Sequence, residues 1–130
     1  MRIYILLSLL IPALCSAGEL EYRCVVRTEL SLEDDGNIKP YPRPIEIGKS
    51  FGVDRVSGKV VNSPLRNLTA AEVKVLNHGD KDHTFELLSM SSSNGKVTTD
   101  FLVIQEFVKD KKKPFVAVTS SGEVYSGICE

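Results

Sequence analysis

From Leu20 to Val26 the chain alternates, with Leu20, Tyr22, Cys24 and Val26 on one side and Glu21 and Arg23 on the other, joined by Glu19 just ahead of them. A period of two marks a half-buried strand, because successive side chains of an extended backbone point to opposite faces. The carboxyl end repeats the pattern. Pro114 to Cys129 predicts two strands joined by a Ser120-Ser121-Gly122 turn, in which Tyr125, Gly127 and Cys129 share a face and Gly127 leaves room for a neighbouring side chain.

Between these ends the pattern predicts more strands. Ile45, Ile47, Phe51 and Val53, a turn at Asp54 to Gly58, and a return through Lys59 to Val61 form a hairpin, with Gly48 and Gly52 as bends or a bulge. Thr84 to Met90 is a strand, and Asn94-Gly95 supplies the positive φ angles of a two-residue turn. Val97 to Val108 is apolar on both faces through its middle and is expected to be the most buried strand, turned by Lys109 to Lys113 into the terminal pair. Glu33 to Pro44, with prolines at 40, 42 and 44, reads as an unpaired surface loop, since proline removes backbone donors. One segment supports two readings. Thr69 to Glu72 fits a capping box and Gly79 a helix end, so that Ala70 to His78 could be a short helix, yet Ala71, Val73, Val75 and Asn77 alternate and β-branched valines favour the strand.

With strands at hairpin spacing, the fold class is all-β: a single antiparallel sheet of about seven or eight strands, rolled into a small barrel or a sandwich with its first and last strands adjacent. The length fits one domain, residues 18–130.

The amino terminus adds the compartment. Arg2 precedes an apolar run from Ile3 to Leu14 and small residues at Cys15 to Ala17, the pattern of a secretory signal peptide, residues 1–17, cleaved after Ala17. The run is too short to span a bilayer, and no later stretch is apolar for long enough, so the mature protein is expected to have no membrane span. A lipobox reading of Cys15 is disfavoured by the bulk of Leu14. Removal of the signal leaves Cys24 and Cys129, and an even pair in an exported chain, periplasmic or secreted, favours a disulfide. A formal net charge of −1 argues against nucleic acid as a partner, which calls for a clustered basic surface.

Candidate chemistry is sparse. His78, Asp80, Asp82 and His83 group metal-ligand residue types within one short stretch, although their spacing matches no established site, and no cofactor motif is present. A hydrolase using His78 or His83 with a serine from Ser89 to Ser93 lacks any context that positions a nucleophile. Tyr41 and Arg43 are candidates for a recognition loop, and Asn67-Leu68-Thr69 is a glycosylation sequon. The favoured expectation is a non-enzymatic exported binding module for a protein partner or a small ligand. A small hydrolase or metal-dependent enzyme at the His78 to His83 loop, testable by a metal assay with His78→Ala and His83→Ala, and a structural envelope-associated protein with a fully packed interior are the alternatives.

Overall fold

The structure, a computed structural model, describes residues 20–63, 65 and 72–130. The expected signal peptide, the sequon at Asn67 and the capping box at Thr69 lie outside the described residues. Within them nine strands form: β1 (Glu21–Leu32), β2 (Ile38–Pro40), β3 (Ser50–Asp54), β4 (Val60–Val61), β5 (Glu72–His78), β6 (Phe85–Ser93), β7 (Lys96–Ile104), β8 (Lys113–Thr119) and β9 (Glu123–Cys129). All pairings are antiparallel. The order is β4-β3-β1-β9-β8-β7-β6-β5, with β2 attached to β1, and the sheet curls through 269° into a half-barrel. No described helix is long and apolar enough to cross a membrane.

The pairing of first and last strands is the axis of the fold. β1 pairs with β9 from Cys24↔Cys129 to Ser31↔Glu123. Arg23 and Glu130 exchange both backbone hydrogen bonds at 2.9 Å, which makes the neighbouring cysteines a non-hydrogen-bonded pair, where opposing Cα atoms come closest. Their sulfurs are bonded, with Cα atoms 3.9 Å apart. Arg27 is an extra residue in this ladder, which shifts between Val26 and Thr28. The bulge reverses which residues point inward: Tyr22, Cys24 and Val26 are buried before it and Glu29 after it.

Tyr22, Cys24, Val26, Phe51, Val53, Phe85, Leu87, Leu102, Ile104 and Phe115 belong to one core within the curl. Phe51 meets Phe115 edge-on at 5.4 Å, and Tyr22 meets Phe85 at 5.2 Å. Gly58, with φ 75°, brings the β3–β4 turn against the other end of the sheet, since a Cβ there would lie 2.5 Å from Leu87 Cδ1 and 2.8 Å from Val75 Cγ2. Across the same seam His78 Nδ1 lies 3.0 Å from the Arg55 carbonyl oxygen. The carbonyl can only accept, so Nδ1 is the protonated nitrogen.

The Asn94-Gly95 turn is as expected, with φ 51° and 73° between Ser93 and its partner Lys96. Residues 72–78 are strand, because Val73 and Val75 pack on the core from alternate positions. Four expectations need correction. The Pro-rich segment is not wholly unpaired. Backbone bonds from Glu33 N to Asn37 O and from Tyr41 N to Glu29 O put Pro40 at a non-hydrogen-bonded position, where its missing N–H costs the ladder nothing. The third strand begins at Ser50 rather than Ile45, and Ile45 is 67% exposed. Leu20 precedes β1 and is exposed rather than inward. β7 ends at Ile104 and is not covered on both faces: Leu102 and Ile104 are buried in the curl, while Phe101 and Val103 are half-buried outside it and Phe107 is exposed beyond its end.

Candidate functional site

The inward rows of the strands change character along the axis of the curl, and they do so toward the same end. On β7 the row reads Ile104, Leu102, Asp100, Thr98; on β8 Phe115, Ala117, Thr119; on β9 Cys129, Gly127, Tyr125, Glu123; on β6 Phe85, Leu87, Ser89. β1 joins them through its bulge, with Tyr22, Cys24 and Val26 followed by Glu29. The disulfide end is therefore apolar and the opposite end polar.

At the disulfide end, polar groups are consumed by one another. Tyr22 donates its hydroxyl to Glu106 Oε2 at 2.6 Å, Arg55 Nη2 lies 3.4 Å from Glu106 Oε1, and the Arg55 guanidinium stacks 4.7 Å from the Tyr22 ring centroid. Burial, and then the hydrogen bond to Glu106, hold the Tyr22 hydroxyl proton well above the ordinary tyrosine range.

The polar end holds a cavity of about 490 Å³ lined by Glu29, Tyr41, Ile45, Glu46, Thr98, Asp100, Thr119, Ser120, Ser121, Glu123 and Tyr125, a volume within the usual ~300–1,000 Å³ of ligand pockets. Four of these side chains are carboxylates, and none is lysine, arginine or histidine. Glu29, 5% exposed, builds one wall. Its Oε2 accepts the backbone N–H groups of Ile45 and Glu46, each at 3.0 Å, which halts any strand there, turns Ile45 outward and tucks Glu46 in. Glu46 pairs with the half-exposed Lys49 at 3.3 Å. Glu123 Oε2 accepts the hydroxyls of Thr119 and Ser121, both at 2.9 Å. Tyr125 stands opposite Glu29 in the β1–β9 ladder and is 6% exposed. Burial, then the charges of Glu123, Glu29 and Glu46, hold its hydroxyl proton well above the usual range.

These two tyrosines set an alkaline limit. Unfolded tyrosine ionises near pH 10, whereas both folded tyrosines keep their protons higher, so their contribution is present below that pH and is lost as pH rises through the folded values. The thermal midpoint is expected to fall above about pH 10, and less steeply in Tyr22→Phe. Thermal melts followed by circular dichroism check this; equal slopes for the two proteins would contradict the assignment.

The sequence-derived candidates fall in different places. Tyr41 lines the cavity, while Arg43 is exposed and is not among the lining residues. His78 and His83 belong to the disulfide end. His83 Nδ1 lies 2.7 Å from Asp80 Oδ1, which also accepts the Asp82 amide at 2.8 Å, and this Asp80 contact raises the histidine's affinity for its proton. Among the described residues no group of three or more His, Cys, Asp or Glu side chains is placed to hold a metal ion. Ser89 is buried on the inner face, opposite Asp100, and four positions of strand, about 13 Å, separate it from Phe85, the partner of His78. Sequence reasoning missed Glu29, Glu46, Asp100, Glu123 and Tyr125 as a group. Their common signal is the polar end of each inward row, which exists only once the register is known. No protein-family model, curated protein or solved structure matches this chain.

Proposed function

We propose that this protein is an exported, non-catalytic binding module that takes a small ligand, or a side chain of a protein partner, into the cavity at the polar end of the half-barrel. The observation that carries the reading is Tyr125. A nearly buried side chain on the inner wall, it has a hydroxyl that makes no hydrogen bond among the described residues and borders a cavity of ligand size. The residue is nearly buried, but its hydroxyl oxygen is not sealed from solvent, so it opens onto the cavity as an available donor and acceptor. Export is supported by the apolar run from Ile3 to Leu14 behind Arg2 and by the Cys24–Cys129 bond, which persists in oxidising compartments.

The test is a chemical-shift screen of ¹⁵N-labelled residues 18–130 against a fragment library of mixed charge. Shifts that saturate and map to Tyr41, Ser121, Glu123 and Tyr125 are the expected result. A library that leaves those amides unmoved would remove the cavity from consideration.

A further inference from the structure

We infer that the cavity selects an organic cation, an alkylammonium or guanidinium group presented on an apolar stem; this rests on the binding reading above and names its ligand class. Among the described residues the wall has four carboxylates and no basic side chain. Lys49 offsets Glu46 from the solvent side, but Glu29 and Glu123 form no ion pair among the described residues. Glu29 is the more telling of the two. Two backbone amides fix Oε2, while Oε1, on the same buried carboxylate, has no hydrogen-bond partner among the described residues. Oε1 is open to solvent rather than sealed, so a positive donor entering the cavity meets a carboxylate whose position two amides already fix.

The Tyr125 hydroxyl is a second group open to the same cavity, reached independently of the charges, and it can accept a hydrogen bond from an N–H donor. Tyr41 and Tyr125 also line the cavity, and aromatic rings attract organic cations. A metal ion fits less well, because the carboxylates are spread around the wall and no three of the described residues converge on a point. A spread of acceptors matches a guanidinium or ammonium, whose several N–H groups diverge. Ile45, exposed on the lining, is the apolar contact that suits the stem as it trails from the cavity.

The experiment titrates two sets of named probes into residues 18–130: cadaverine and agmatine as free amines, and acetylated, amidated Gly-Lys-Gly and Gly-Arg-Gly as peptide side chains. Acetyl-lysine and citrulline peptides are the neutral isosteres. Charged probes are expected to shift the Ser121, Glu123 and Tyr125 amides, with affinity falling as salt is raised and about tenfold weaker binding by the isosteres. Glu29→Gln keeps an oxygen to accept the Ile45 and Glu46 amides while removing the charge, and is expected to weaken the charged probes about tenfold. Ser121→Lys gives up the hydroxyl bond to Glu123, keeps the one from Thr119 and places a cation on the exposed β8–β9 turn at the cavity, where it should compete with the probes. Stronger binding of the peptides would identify a protein partner as the source, and stronger binding of the free amines a small molecule; either supports the cation. Equal binding of charged and neutral forms, or cavity shifts produced by neutral or anionic fragments alone, would overturn the inference while leaving the binding reading intact. Silence of these amides toward every probe and the whole library would overturn both.

Discussion

Gly127→Ala is expected to destabilise the protein by about 3 kcal/mol or more, and Gly127→Val to prevent cooperative folding. A Cβ at position 127 would lie 1.9 Å from the Val25 carbonyl oxygen, 3.0 Å from its carbon and 2.7 Å from Phe115 Cε1. The ring could yield, but the carbonyl belongs to β1, which the ladder and the disulfide hold against β9 from Cys24↔Cys129 onward. Relief would require separating the two strands beside the staple, at the cost of the packing of Val26 and Phe115. Gly36→Ala is the comparison: its φ of 79° is unfavourable for a side chain, unlike that of Gly127, but nothing lies within 4 Å, so a loss of about 1 kcal/mol is expected. Urea denaturation of the two variants decides the point. A Gly127→Ala loss no larger than that of Gly36→Ala would show that β1 and β9 do not approach so closely.

Reduction of Cys24–Cys129 is expected to lower stability by about 4–5 kcal/mol. The bond closes a loop of 105 residues in sequence separation, nearly the whole described chain, and its loss releases that constraint from the unfolded ensemble. A domain of this size has roughly 5–15 kcal/mol in total, so the reduced protein should lie close to its unfolding threshold. Comparing oxidised and reduced wild-type protein isolates this effect, because it leaves both buried sulfurs in place. The Cys24→Ala/Cys129→Ala double variant should lose more, since each side chain is fully buried in the core. The reduced form should also show a steeper denaturant dependence, because its unfolded chain exposes more surface. A shift on reduction below about 1 kcal/mol would mean that the strand pairing holds the ends together without the bond.

Much of the architecture was legible because it depends on local alternation. Tyr22-Arg23-Cys24-Val25-Val26 and Tyr125-Ser126-Gly127-Ile128-Cys129 put both cysteines on inward faces, and Asn94-Gly95 specified its own turn. Errors arose where a side chain from elsewhere overruled local preference. The alternation of Ile45 and Ile47 reads as strand, but the Glu29 carboxylate, sixteen positions earlier, takes two amides of that segment and makes it a turn. The apolar positions on both sides of Val97 to Val108 imply two covered faces, whereas a curled sheet covers only its concave one.

The candidate site was the least legible part for the same reason. Glu29, Asp100, Glu123 and Tyr125 are scattered over 97 positions and form no motif. They meet because β1 pairs with β9, β9 with β8 and β8 with β7, and because one extra residue, Arg27, turns Glu29 from the outer face to the inner. By itself the sequence determined the two terminal strands, the inward faces of Tyr22 to Val26 and of Tyr125 to Cys129, and the cysteine pair, since period-two alternation is a property of each strand alone. The register, the curl and the bulge decided which polar residues face one another, because these depend on how separate strands align, and the acidic cavity is a product of that alignment.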